Sequence, residues 1–316
     1  MLTPPLHLPQ LTLCCVDNQY PALGFEALQK TCAGLSFAEV LFFTHADFVL
    51  PEHAIDNLRV ITHEVIHSIE EYSHFMLKGL QAYVTTSHVL TIQWDGYVIN
   101  PQAWQAQFLQ YDYIGAPWPK KSGLWVGNGG FSLRSAKLLT ALQDDAIVAM
   151  HPEDACICDR HRAYLEVQHR IQFAPAELAE AFSFEFAKPH TDAFGFHGMS
   201  NFPQVMSTSD LTHFIETMPG ALIFNGYFRL FVRHVVKLKS LQTRRVLEQK
   251  VSAVMSTADA NRWMSDEVHG LIKSFIKARC PRMAWALLQQ RAAHEGWTRK
   301  NIKLAVRIFL TFFYFK

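Results

Sequence analysis

An alternation of five segments in the first hundred residues limits the fold most. Residues 11–16 (LTLCCV), 39–44 (EVLFFT) and 89–92 (VLTI) are short, mostly apolar runs, each followed by polar residues. Their β-branched and aromatic side chains suit a covered, pleated surface. Between them, residues 25–32 have helical spacing, and residues 69–83 place Tyr72, Phe75, Met76, Leu80 and Tyr83 on one helical stripe. Strand, helix, strand, helix, strand predicts an α/β fold: a mainly parallel sheet covered by helices.

Open sheets of this kind bind ligands outside the carboxyl ends of their strands. The run 89–92 ends there on Gln93-Trp94-Asp95-Gly96, a carboxylate beside a glycine turn. That arrangement suits a divalent metal and a diphosphate. Asp-Gly is also the commonest hairpin turn, and these four residues alone allow either.

Residues 104–109 read as a short helical piece, and residues 111–118 are aromatic and end in a proline turn. Gly127, Gly129 and Gly130 then allow close backbone approach or positive φ before residues 131–133 re-enter a strand. Phosphate-binding glycine loops open helices, so this segment is neither a P-loop nor a dinucleotide fingerprint. Residues 136–142 have helical spacing. His151-Pro152-Glu153-Asp154 precedes a helix predicted over residues 155–165, where the two acids are either first-turn caps or reactive groups. Residues 171–174 predict another strand, and Phe182, Phe184 and Phe186 follow. His197 sits in the glycine-flanked turn 194–198, which presents its ring to a metal, a phosphate or plain solvent.

With 316 residues, 49% of them hydrophobic, the chain can bury a large core. No apolar run reaches the roughly 18 residues a membrane-spanning helix needs. The first ten residues, MLTPPLHLPQ, lack the basic start and long apolar stretch of a signal peptide. Six cysteines lie scattered at 14, 15, 32, 156, 158 and 280, which suggests a reducing cytosol. Cys156 and Cys158 are too close for a usual zinc pair and read as core.

Charge divides the chain. Residues 1–220 hold 11 Lys+Arg against 23 Asp+Glu, and residues 221–316 hold 18 against 5. The expected organisation is therefore an acidic domain over 1–220 and a basic, helical tail region over 221–316. In that tail Arg229, Arg233, Lys237, Lys239, Arg244 and Arg245 border Phe231, Val235, Leu238 and Leu241. Near the end, Lys300, Lys303 and Arg307 stand beside Ile308, Phe309, Phe312 and Phe313. Basic amphipathic segments of this kind lie in a membrane interface, and the large charge split favours that over a helical cap packing on the body or an oligomer contact, so a membrane surface is the expected partner of residues 221–316. Exposed stacking platforms for nucleic acid are lacking, so no nucleic-acid partner is expected.

Several motifs together carry a resemblance: the Asp17 loop, Tyr72-Ser73-x-Phe75-x-Leu77-Lys78, Gln93-Trp94-Asp95-Gly96, the segments 111–118 and 127–134, Glu153-Asp154 and the turn 194–198. Over about residues 10–200 the chain resembles the bacterial DUF5672 group. That group is similar to GT-A glycosyltransferases, in particular galactofuranosyltransferase domains of O-antigen synthesis. The resemblance implies a GT-A-like (Rossmann-like) sheet and a UDP-sugar-dependent, inverting hexosyltransferase. It implies a glycan acceptor, lipid-linked as in O-antigen or capsule, and a protein on the inner face of the cytoplasmic membrane. In GT-A enzymes a D-x-D motif ends a central strand. Here Gln93 stands at the first acid and Asp95 keeps the second, which leaves a weaker site for Mn²⁺ or Mg²⁺. His197 resembles the late histidine that completes the metal or diphosphate shell, and Gly129 and Gly130 the segment where donor and acceptor approach. The resemblance further implies donor contacts from Asp17, Tyr20, Ser73, Lys78 and Trp94. Asp154 matches the base that deprotonates the acceptor hydroxyl, with Glu153 in reserve. The departure at Gln93 favours one rival, a non-catalytic nucleotide-sugar or glycan-binding protein.

Overall fold

The computed structural model describes residues 5–51, 55–62, 66–120, 123–186, 190, 192–238 and 240–313. They divide into two packed units, Met1–Gly198 and Met199–Lys316.

The first unit is built on a six-stranded sheet. In chain order its strands are β1 (Leu6–Val16), β2 (Leu35–Thr44), β3 (Leu58–Thr62), β4 (His88–Ile92), β5 (Tyr113–Gly115) and, after the hairpin β6 (Pro117–Lys120) and β7 (Gly123–Val126), β8 (Phe131–Ser135). The spatial order is β3-β2-β1-β4-β8-β5. The first four run parallel, while β8 runs antiparallel to both β4 and β5. The α/β class and mainly parallel sheet expected from the alternation are therefore present. Continuous apolar runs became the buried centre: every residue of β4 is buried, and so are the last six of β1. The edge strand β3 escaped the pattern because it is largely exposed and carries Arg59.

One face of the sheet is covered by the chain over residues 69–83. Phe75, Met76 and Leu80 pack on Cys14, Val16, Leu41, Phe43 and Val89, with Tyr72 and Tyr83 against the same cluster. The single predicted helix is three pieces: an α-helix (Ile69–His74) opened by a Ser68 and Glu71 capping box, a wide π turn (Phe75–Gly79) and a 3₁₀ turn (Leu80–Tyr83). The π turn ends on Gly79. The Phe75 ring lies against its Cα, and an added Cβ would come within 2.6 Å of that ring. The helix predicted from residue 155 is likewise divided, into Glu153–Ala155, a π turn (Cys156–Arg160) and Arg162–Gln168. Residues 171–174 form one bridge, Phe173 to Tyr113, instead of a strand; Pro175 caps the next helix, Ala176–Phe182, at once. Cys156 and Cys158 are buried, free and packed in the core.

The second unit is helical. The expected boundary after residue 220 falls inside it, because helix Thr208–Thr217 packs on helix Leu241–Ser256. A buried hydrogen bond between the hydroxyls of Thr212 and Thr243, 2.8 Å, joins them. Phe231 and Val235 are fully buried within this unit, whereas Leu238 is half-buried and Leu241 exposed, so the apolar face of the first basic segment is covered only over its first half. Ile308 is buried too, whereas Phe309 is exposed. Lys239 and the side chains of Phe312 and Phe313 lie outside the described residues. Among the described residues no helix is long and apolar enough to cross a membrane.

Candidate active site

Sheet register brings the predicted groups to one edge. Cys15 of β1 pairs with Ile92 of β4 and with Phe42 of β2, so Asp17, His45 and Gln93 emerge together at the carboxyl end. Because β8 is antiparallel, its first residue, Phe131, also pairs with Ile92. The glycine segment that opens β8 therefore lies at the same edge, and Gln93 N–H donates to Gly130 O at 2.9 Å. A glycine segment that opens a strand reaches a ligand-binding edge in this way.

A cleft of about 1070 Å³ occupies that edge, lined among others by Asp17, Tyr20, His45, Tyr72, Gln93 and Trp94. Tyr20 and Trp94 meet edge to face, ring centroids 5.9 Å apart. Asp17 Oδ1 accepts the backbone N–H groups of Gln19 (2.9 Å) and Tyr20 (2.6 Å), which fixes the loop after β1. Burial lifts the Asp17 carboxyl to about 6, more than those two hydrogen bonds pull it down, and the charge of Asp95 adds to the rise.

Behind Gln93 lies a network centred on His197. Its Nε2 is 3.2 Å from Asp95 Oδ1 and 3.1 Å from Gln93 Oε1. Its Nδ1 is 3.0 Å from Glu185 Oε1 and 3.1 Å from the Asn128 amide nitrogen. Gln93 is held from its other end, where its amide donates to the Tyr72 hydroxyl at 3.0 Å. Burial opposes charging His197, but Asp95 and Glu185 outweigh it and hold the ring well above the usual histidine range.

Gly129 and Gly130 are required by close approach. A Cβ on Gly130 would lie 2.1 Å from His197 Nε2, and one on Gly129 would lie 1.9 Å from Glu153 Oε1. The left-handed residue of the turn is Asn128, with φ 66°; its side-chain oxygen accepts the Phe131 N–H at 3.0 Å.

The acidic pair sits on the far side of these glycines, and its two members differ. Asp154 is half-buried; Oδ2 accepts the Gly129 N–H at 3.1 Å and Oδ1 the Ala155 N–H at 2.7 Å. Glu153 is buried against Arg134, Nη2 to Oε1 3.1 Å, and Arg134 is itself fully buried. Burial pushes the Glu153 carboxyl up, Asp154 adds to that, and the Arg134 guanidinium pulls the other way. Glu153 is thus committed to an internal ion pair, while Asp154 keeps solvent access.

Asp154 therefore meets this turn directly, at the Gly129 N–H, whereas Asp95 meets it through His197, which touches Asn128 and lies against Gly130. Ser73 and Lys78 are placed differently. Ser73 is buried and its hydroxyl is 2.9 Å from His151 Nδ1. Lys78 donates to the carbonyls of Leu142 and Asp144, the latter at 3.1 Å, past the C-terminus of helix Ala136–Ala141. Both tie the helical cover to the chain that leads to Glu153, and neither reaches the groups around His197. The site also contains residues the motifs did not single out for a role: Glu185, Asn128, Tyr72 and Arg134. Arg134 had a signal, a cation inside an otherwise uncharged buried strand.

Asp95 Oδ1, Gln93 Oε1 and His197 Nε2 converge, and Glu185 could orient the ring from Nδ1 as an outer carboxylate. One carboxylate, one amide oxygen and one imidazole fit Mg²⁺ or Mn²⁺ as partial ligands. Among the described residues no group of three or more His, Cys, Asp and Glu has metal-holding geometry.

Residues 56–197 match the model of one family. It is DUF5672, described as a protein of unknown function. The match spans β3 to β8, the glycine segment, the acidic pair and His197, and leaves out β1 and β2. Among solved structures, a glycosyltransferase involved in the glycosylation of the major capsid of PBCV-1 is similar to this chain. It has 16% sequence identity over 60% of this chain and 92% of that one, with a TM-score of 0.34, a likeness too loose to carry function across. No curated protein matches the chain.

Proposed function

We propose that the first unit is a glycosyltransferase that moves a hexose, galactofuranose being one candidate, from a UDP-sugar to a glycan acceptor with inversion. The observation that supports this most is the turn 128–130: the acid for the acceptor end, Asp154, accepts the Gly129 N–H, and His197, which meets the acid for the diphosphate end, Asp95, lies against Gly130.

The nucleoside occupies the cleft, with its ring against Tyr20 and Trp94 and a hydroxyl on the Asp17 oxygen that does not hold the loop. The bare glycines let the sugar lie against the backbone. Asp154, oriented by the N–H groups of Gly129 and Ala155, takes the proton of the attacking acceptor hydroxyl as the anomeric bond to the diphosphate breaks. Gln93, Asp95 and His197 receive the diphosphate. A Mg²⁺ or Mn²⁺ held there would offset the charge gathering on the leaving UDP. An imidazolium has no lone pair for a metal, so metal binding and a second proton on His197 exclude one another. The acceptor is a surface glycan on a lipid carrier, such as O-antigen or capsule.

Transfer or donor hydrolysis with a panel of nucleotide sugars tests the reaction. Asp154→Asn should lower kcat by roughly 10²–10⁴-fold while calorimetric affinity for UDP is kept, with and without Mn²⁺. Full turnover in that variant removes Asp154 as the base. UDP binding with no turnover of any donor points instead to a binding protein, the rival that Gln93 favours.

A further inference from the structure

The helix Arg299–Phe313 in the second unit presents apolar residues on two sides. Asn301, Leu304 and Ile308 are at most 1% exposed and pack inward. Ile302, Val306, Phe309 and Leu310 are 46–61% exposed and, at spacings of three and four, make one stripe along the other side. A helix lying on a domain normally turns polar groups to water there. Trp297, just ahead of the helix, is 52% exposed, and its ring centroid is 6.2 Å from that of Trp285.

Cations border this stripe. At about 100° per residue, Lys303 and Arg307 fall between the exposed stripe and the buried face. Neither enters an ion pair among the described residues, whereas Lys300 lies 3.8 Å from Asp266. The helix carries no acid, and the whole unit holds 18 Lys+Arg against 7 Asp+Glu.

The geometry points to this stripe as the seat of an anionic lipid surface. The helix lies flat among the headgroups, its four exposed apolar residues enter the acyl boundary, and Lys303 and Arg307 meet lipid phosphates. Trp297 sits at the level where indole rings favour the interface. Charge argues against a second copy as the occupant, since two such stripes face to face bring like cations together in a unit that is already strongly basic. Attachment of this kind is independent of the transfer reaction.

Flotation of the full chain with phosphatidylcholine vesicles, with and without phosphatidylglycerol, tests it. The native chain should float with the anionic vesicles, with a blue shift of tryptophan emission, and much less with phosphatidylcholine alone. Ile302→Ser/Val306→Ser/Phe309→Ser should abolish flotation. Lys303→Gln/Arg307→Gln should weaken partition by roughly thirtyfold. All five side chains are solvent-facing, and circular dichroism checks that the variants fold; if the serine triple does not, the Lys303 and Arg307 variant decides alone. Equal flotation of the variants and the native chain, or no flotation of the native chain, overturns the proposal. So does a native dimer in sedimentation that the serine triple splits, which assigns the stripe to a second copy.

Discussion

In the first unit the charged groups that matter are buried at one sheet edge, where Arg134 meets Glu153 and His197 lies between Asp95 and Glu185. In the second unit the cations are mostly spread over the outside, and the buried exception, Arg291, is held by Glu295 and by the carbonyls of Trp263, Met264 and Ser265. Burying a charge costs several kcal/mol and persists only where partners repay it. Exposed cations cost almost nothing and act at a distance. The contrast separates a cluster of buried, paired charges from an exposed and mostly basic surface.

The contrast breaks first at Arg134. Arg134→Met leaves Glu153 buried without its cation and should cost about 3–5 kcal/mol, read as a lower urea midpoint. Adding Glu153→Leu should recover much of that loss; if it does not, the pair is not what stabilises this edge. A smaller effect is expected at Asp17, whose carboxyl is lifted from 3.8 to about 6. The folded chain keeps a proton there that the unfolded chain releases, so this contribution is full below about pH 4 and is lost as pH rises through 6. At neutral pH the loss is about 3 kcal/mol at most, and Asp17→Asn should remove it. Stability of native chain and variant should diverge as pH rises from 4 to 7; parallel curves would mean that the loop leaves Asp17 solvated. The smallest effect belongs to the second unit, where Lys303→Gln/Arg307→Gln should change stability by less than about 0.5 kcal/mol. A larger drop would make those cations part of the fold.

Much of this architecture was legible in the sequence. The runs before Asp17, His45 and Gln93 are apolar because their strands are covered on both faces, and that alone placed three polar loops at one edge. The glycine segment was visible, but its meaning was not. Opening a strand excluded a P-loop, while only the antiparallel pairing of β8 with β4 shows that it lies beside Asp95. Ser73 and Lys78 share a helical segment with the cleft-lining Tyr72. Their partners, His151 for Ser73 and the carbonyls of Leu142 and Asp144 for Lys78, lie 64–78 positions away and do not show in spacing. Glu185 and Arg134 find their partners through tertiary packing, across 12 and 19 positions of sequence. Local pattern carries no record of such pairs.

The antiparallel ladder of β4 with β8, extended by the hydrogen bond from Gln93 N–H to the carbonyl of Gly130, closes the excursion that contains β5, β6 and β7. A loop pinned at its mouth can change length at small entropic cost, because closure depends only logarithmically on the number of residues enclosed. The part of this excursion that can change length in this way is the hairpin of β6 and β7, which among the described residues joins no other sheet; β5 is tied to β8, and Asp95, Asn128 and Gly129 inside the same excursion belong to the site.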